Sequence, residues 1–205
     1  RIAEAWRAVH GAPPSAADID RIYKRVESVM VEVIQRYSVP MPGVMDAVTA
    51  MRRQGLRIGS CTGYPRSVGE LLAERARGFG YEPDVLVCAT DVSHGRPEPD
   101  MCLKALNDMN LHDPARAVKI GDTVNDVLEG LRAGMWVIGL TLSGSLAGLT
   151  EEELRQLPEA QKWLMHDKIS DLLANAGAHF TAPDLPSCLS ILSKIDEHCQ
   201  NNYTP

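Results

Sequence analysis

From residue 44 onward, short apolar runs rich in β-branched residues alternate with longer stretches whose apolar residues recur at helical spacing. This alternation constrains the fold more than any other feature. It predicts helices over 44–54, 67–80, 100–110 and 123–133, and strands over 56–61, 85–88, 118–120 and 136–142. Connections this short favour strands that run the same way with a helix crossing over between them. The expected class is therefore α/β, a doubly wound, mostly parallel sheet covered by helices. Beyond it, Leu149-Thr150-Glu151-Glu152-Glu153 opens further helices, Ala178-His179-Phe180 reads as one late extended piece, and 187–199 reads as a closing amphipathic helix.

The first 37 residues have a different texture. Ile2, Ala5, Trp6 and Val9 form one apolar stripe, and Ile22, Val26, Val29, Met30, Val33 and Ile34 form another. Gly11-Ala12-Pro13-Pro14 breaks the chain between them, and Ser15 is a fair N-cap for the second helix. Trp6 and Tyr23 read as packing residues. The hairpin is too small to be a domain alone and has more apolar surface than it can bury by itself. Two prolines and a glycine in Ser38-Val39-Pro40-Met41-Pro42-Gly43 end it, which divides the chain into 1–40 and 41–205.

With a formal net charge of −6 and a pI near 5.5, the chain lacks the basic surface that nucleic-acid binding needs. A small anionic substrate remains compatible through local arginine and a metal ion. No apolar run of membrane-spanning length is present. Cys61, Cys88, Cys102, Cys188 and Cys199 are odd in number and share no metal-ligand spacing, so reduced thiols in a cytoplasmic protein are expected. The chain begins with Arg1, which suggests that something upstream has been cut away.

Three strand ends carry chemistry. In Lys119-Ile120-Gly121-Asp122-Thr123-Val124-Asn125-Asp126, a β-branched run ends in a glycine and two carboxylates. Asp122 falls at the carboxyl end of a strand and Asp126 on the first turn of a helix, where ligands bind in open α/β sheets. Two hard oxygen donors there suit Mg²⁺. A helix cap explains the same residues: Asp122 or Thr123 would satisfy free N–H groups, and Asp126 would complement the helix dipole. Ile58-Gly59-Ser60-Cys61-Thr62-Gly63-Tyr64 ends in a hydroxyl and a glycine, so Thr62 and the following N–H groups are candidates to hold a phosphoryl oxygen, or a plain turn. In Val92-Ser93-His94-Gly95-Arg96-Pro97-Glu98-Pro99 the prolines stiffen the loop that carries Arg96, a candidate phosphate clamp or a solvated surface arginine. His94 reads as a loop residue and Cys61 as a packed thiol.

In that order these segments resemble the second, third and fourth signatures of the haloacid dehalogenase superfamily, whose members transfer phosphoryl groups through an aspartyl-phosphate on a doubly wound sheet. Gly59-Ser60-Cys61-Thr62-Gly63-Tyr64-Pro65-Arg66, Gly95-Arg96-Pro97 and Gly121-Asp122-Thr123-Val124-Asn125-Asp126 are similar to the phosphonoacetaldehyde hydrolase (phosphonatase) family. Glu129-Gly130 and Ala133-Gly134-Met135-Trp136 fit it too, and arginine where most of the superfamily carries lysine is a specific mark. The resemblance implies Mg²⁺-dependent hydrolysis of phosphonoacetaldehyde to acetaldehyde and phosphate. A cap lysine would form an imine with the aldehyde and a core aspartate would attack phosphorus. It further implies Asp122 and Asp126 at the metal, Thr62 and Arg96 on the phosphoryl group, Gly63 and Tyr64 at the substrate, and a homodimer through the cap.

The superfamily's first signature, with the attacking aspartate, and the imine-forming lysine are not in the sequence. Lys24, on an exposed helix face, is a poor substitute. Residues 1–40 are therefore expected to be a remnant of a helical cap, and 41–205 an α/β core lacking its first strand. Such a core would expose unpaired edges. Two other readings stay open: another capped phosphatase or phosphomutase of the superfamily, and a protein that binds a phosphorylated ligand or a partner without turnover.

Overall fold

The computed structural model describes residues 2–205, without the side chains of Ile2, Glu4, Glu27, Ser28 and Gln35. Arg1 and the expected packing of Ile2 thus lie outside the described residues. Helices α1 (Ile2–His10) and α2 (Ala16–Tyr37) form the expected hairpin. Ser15 and Asp18 cap α2 reciprocally: the Ser15 hydroxyl accepts from the Asp18 N–H at 3.1 Å, and the Asp18 carboxylate accepts from the Ser15 N–H at 3.2 Å. Burial departs from the striping. Val9 is 77% exposed, and Val26, Val29 and Val33 are exposed as well, while Ile34 is buried. Trp6 stacks on His10 with ring centroids 4.1 Å apart.

The alternating part follows as α3 (Val44–Arg53), β1 (Gly59–Thr62), α4 (Arg66–Gly78), β2 (Val85–Cys88), α5 (Asp100–Asp108), β3 (Val118–Gly121), α6 (Val124–Arg132) and β4 (Trp136–Leu140). Then come α7 (Glu151–Gln156), α8 (Glu159–Asn175), β5 (Phe180–Ala182) and α9 (Cys188–Gln200). Every strand pair is parallel. Several elements start or stop a few residues from their expected ends; β1, for example, begins at Gly59 and runs through Thr62.

Strand β4 shows why its sequence is apolar without alternation. Trp136 and Ile138 pack on one face with Met51 of α3 and Ile195 of α9. Val137 packs on the other with Val127 of α6 and Ile169 and Leu173 of α8. Both faces are buried, as in a doubly wound sheet. Gly139 lets α8 approach, since a Cβ there would stand 2.7 Å from the Leu173 side chain. Each such fully buried aliphatic side chain contributes roughly 1.5–3 kcal/mol.

The strands form two sheets, β1–β2 and β3–β4–β5, where the sequence predicts one. Among the described residues β1 pairs only with β2, and β3 only with β4. A cavity of about 930 Å³ lies between, lined by Val48 and Met51 of α3, Ile58, Ala105 of α5, Val118 of β3 and Leu192 of α9. Beside this cavity β1 and β3 each keep one edge without a strand partner among the described residues.

Candidate active site

The strand ends meet around Arg96. It lies in the loop after β2, and its Nη2 donates to the Cys61 carbonyl at the end of β1, at 2.9 Å. The same nitrogen is 3.1 Å from Asp126 Oδ1, and Nε donates to Glu129 Oε2 at 2.9 Å. Lys119 of β3 reaches that Glu129 oxygen with Nζ at 2.5 Å and Asp126 Oδ1 at 3.4 Å. Two cations and two carboxylates thereby form a formally neutral quartet in which Lys119, Asp126 and Glu129 are buried and Arg96 is partly exposed.

Local sequence explains why they meet. Val118 and Ile120 pack into the cluster with α3 and α9, so the period of two turns Lys119 to the opposite face, under α6. Thr123 caps α6: its hydroxyl accepts from the Asp126 N–H at 3.2 Å and donates to Asp126 Oδ2 at 2.6 Å. Thr123, not Asp122, is therefore the cap. Helical spacing puts Glu129 on the face of Asp126. Two glycines admit this face, because a Cβ on Gly121 would stand 2.3 Å from Asp126 Cβ, and one on Gly130 would stand 2.7 Å from Lys119 Cβ.

The electrostatics follow from burial and pairing. For Asp126, burial opposes ionisation most strongly, but Lys119, the Thr123 hydroxyl and Arg96 outweigh it and hold the carboxyl below its ordinary value. For Arg96, burial again opposes the charge, and Asp126 and Glu129 reverse the effect, raising its pKa. Lys119 is likewise raised against its burial, and the Glu129 carboxylate at 2.5 Å is the charge that favours its ammonium form.

Asp122 sits apart from the quartet. Its Oδ2 accepts from the Ser145 N–H at 2.6 Å, so the loop after β4 packs onto it, and Oδ1 has no hydrogen bond among the described residues. Gly144 permits that approach, since a Cβ there would stand 2.6 Å from Asp122 Cβ. Among the described residues no three His, Cys, Asp or Glu side chains are grouped to hold a metal. Asp122 with one uncommitted oxygen is the hard donor on offer, and both Asp126 oxygens are engaged by Thr123 and the cations. This donor set fits an ion such as Mg²⁺ that keeps most of its waters.

Thr62 adjoins the quartet through Cys61, and its hydroxyl accepts from the Tyr64 N–H at 3.3 Å. A Cβ on Gly63 would meet nothing within 4 Å. The Tyr64 ring is exposed and makes no hydrogen bond to Arg96, Asp122 or Asp126 among the described residues. Cys61 is a packed thiol, with Sγ 3.5 Å from the Met101 carbonyl, and His94 is an exposed loop residue 3.1 Å from Asp100. All five cysteines are free. Lys119 and Glu129 are the partners that sequence reasoning missed. Their signals were a lysine interrupting an apolar strand and an acid three residues after Asp126.

A family profile described as haloacid dehalogenase-like hydrolase matches residues 2–134. A phosphonoacetaldehyde hydrolase of Nitratidesulfovibrio vulgaris is 38% identical over 204 residues, covering 100% of this chain and 73% of that protein. This chain belongs to the phosphonoacetaldehyde hydrolase-like family of the haloacid dehalogenase superfamily. A phosphonoacetaldehyde hydrolase-like protein of Syntrophobacter fumaroxidans is 44% identical over 196 residues, 96% of this chain and 71% of that protein. The crystal structure of a phosphonoacetaldehyde hydrolase-like protein from Oleispira antarctica superposes with a TM-score of 0.93 at 30% identity, covering 100% of this chain and 74% of that one. The chain thus spans about three quarters of the length of these phosphonoacetaldehyde hydrolase-like relatives. No helix among the described residues is long and apolar enough to cross a membrane.

Proposed function

We propose that this chain supplies most of the phosphoryl-binding core of a hydrolase that cleaves the C–P bond of phosphonoacetaldehyde. The observation that carries the reading is the 38% identity, over the whole chain, to a protein named phosphonoacetaldehyde hydrolase. The pairing of Arg96 with Asp126, and its bond to the Cys61 carbonyl next to Thr62, support it. In this reading the Thr62 hydroxyl and Arg96 take phosphoryl oxygens, with Gly63 and Tyr64 lining the substrate side. Asp122 would hold Mg²⁺ directly and Asp126 would orient a water of that ion. Mg²⁺, when bound, would reduce the repulsion between an attacking carboxylate and the phosphoryl group.

The attacking aspartate and the imine-forming lysine of this reading come from outside these 205 residues. A further parallel strand between β1 and β3 would carry its last residue to the gap between Thr62 and Asp122, which suits an aspartate in line with phosphorus. Exposed Val26, Val29 and Val33 on α2 favour a dimer through a helical cap formed in part by residues 1–40. The test is to incubate the natural full-length protein with phosphonoacetaldehyde and borohydride. Phosphate release together with a reduced lysine adduct is expected, and the absence of both sinks the proposal.

A further inference from the structure

Glu129 is 0% exposed, and neither it nor Lys119 has a part in the function proposed above. One oxygen, Oε2, serves both Arg96 Nε at 2.9 Å and Lys119 Nζ at 2.5 Å, while Oε1 has no hydrogen-bond partner. A buried carboxylate is costly, and replacing such pairs with apolar residues is often neutral for stability. An under-satisfied carboxylate at this place therefore calls for a reason other than stability.

The reason lies in the arginine. A guanidinium carries five N–H donors in a rigid fork. Glu129 takes Nε, the Cys61 carbonyl and Asp126 take Nη2, and Nη1 makes no hydrogen bond among the described residues. Holding Nε and Nη2 fixes the plane of the fork and leaves Nη1 for a ligand. Asp126 and Glu129 alone would make the surroundings of Arg96 net negative and repel an anion. Lys119 cancels the second charge.

We propose that Glu129, balanced by Lys119, is a positioning residue: it holds the Nε edge of Arg96 so that Nη1 meets an oxygen of a phosphoryl group. The proposal rests on the reading of Arg96 as a phosphoryl clamp. Glu129 itself touches no substrate. Its carboxylate works by removing the rotational freedom that a long arginine would otherwise lose on binding.

The test uses inorganic phosphate as the probe, titrated calorimetrically into the natural full-length protein with Mg²⁺ present. A parallel readout is the Nε–H signal of Arg96 in chain labelled with ¹⁵N-arginine, assigned by its loss in Arg96→Lys. In the double variant Lys119→Met/Glu129→Leu the quartet stays neutral and the pair is replaced by apolar side chains, so folding is retained. Phosphate affinity should nevertheless fall about tenfold, the effect of one charge-assisted hydrogen bond, and the Nε–H should lose its exchange protection. Lys119→Met/Glu129→Gln, equally neutral, returns an acceptor to Nε and should recover most of the affinity. A Met/Leu variant that binds phosphate as tightly as the wild type overturns the proposal. So does a Met/Gln variant that recovers nothing. Phosphate binding absent from the wild type overturns the clamp reading of Arg96 instead, and protection of Nε–H that depends on Glu129 still upholds Glu129 as the residue that holds the arginine.

Discussion

Helix α6 passes so close to β3 that a Cβ on Gly130 would stand 2.7 Å from the Cβ of Lys119. It would also stand 2.8 Å from Val137 Cγ2. The Lys119 Cβ is fixed by the strand backbone, so the helix itself would have to move. Gly130→Ala gains about 1 kcal/mol of helix propensity and loses roughly 1–3 kcal/mol to overpacking, because the clash is with an anchored atom. Net destabilisation is expected, read as a lower urea midpoint with unchanged slope. Gly78→Ala, on α4 with nothing within 4 Å of its Cβ, is the control and should be neutral or stabilising.

The Arg96 bond to the Cys61 carbonyl joins the end of β1 to the face of α6 across the cavity between the sheets. Arg96→Met would leave Asp126 and Glu129 with Lys119 as their one cation within the quartet. Removing one member of a buried ion cluster costs about 3–5 kcal/mol, since a charge is left uncompensated. A large drop in melting temperature is expected, and adding Asp126→Asn should restore part of it. A melting temperature unchanged by Arg96→Met would show that the cluster carries no such energy.

Magnesium gives a separate test of the carboxylates. Calorimetric titration of Mg²⁺ into the natural full-length protein should show binding that Asp122→Asn abolishes. Asp126→Asn should weaken it less. That variant also disturbs the Thr123 cap, whose loss costs about 0.5–2 kcal/mol, so its stability falls even without metal. Equal Mg²⁺ affinity in the wild type and Asp122→Asn would remove Asp122 from the site.

The parallel α/β class, the Thr123 turn and the place of Asp122 were legible because each rests on local signals: period, a capping residue, and a strand ending at glycine. What was not legible is non-local. Nothing in the spacing of Arg96 announces that it bonds to Cys61 35 positions earlier and to Glu129 33 positions later. Asp126 joins the cap of α6, and neither of its oxygens is left without a partner. Its Oδ2 closes the cap on Thr123 while Oδ1 faces Arg96 and Lys119. The separation into two sheets follows from pairing partners, which a pattern of apolar runs does not specify.

A pH dependence is expected at the opposite end of β4. The Val137 N–H donates to His179 Nδ1 at 3.0 Å, so the ring is neutral when this bond is made, and burial holds its pKa below the usual 6.5. At pH values under 6.5 the unfolded chain binds this proton more readily than the folded one. Stability from His179 is therefore complete above pH 6.5 and is lost as pH falls from there through the folded value. Asp84, Asp91 and Asp126 are held below the ordinary carboxylate value of 3.8, so their losses come at lower pH and leave the range from 7 to 5 to histidine. Urea denaturation of the wild type and of His179→Gln at pH 7, 6 and 5 should show the wild type losing more stability than the variant over that range. Parallel pH curves for the two proteins would rule out His179 as the source.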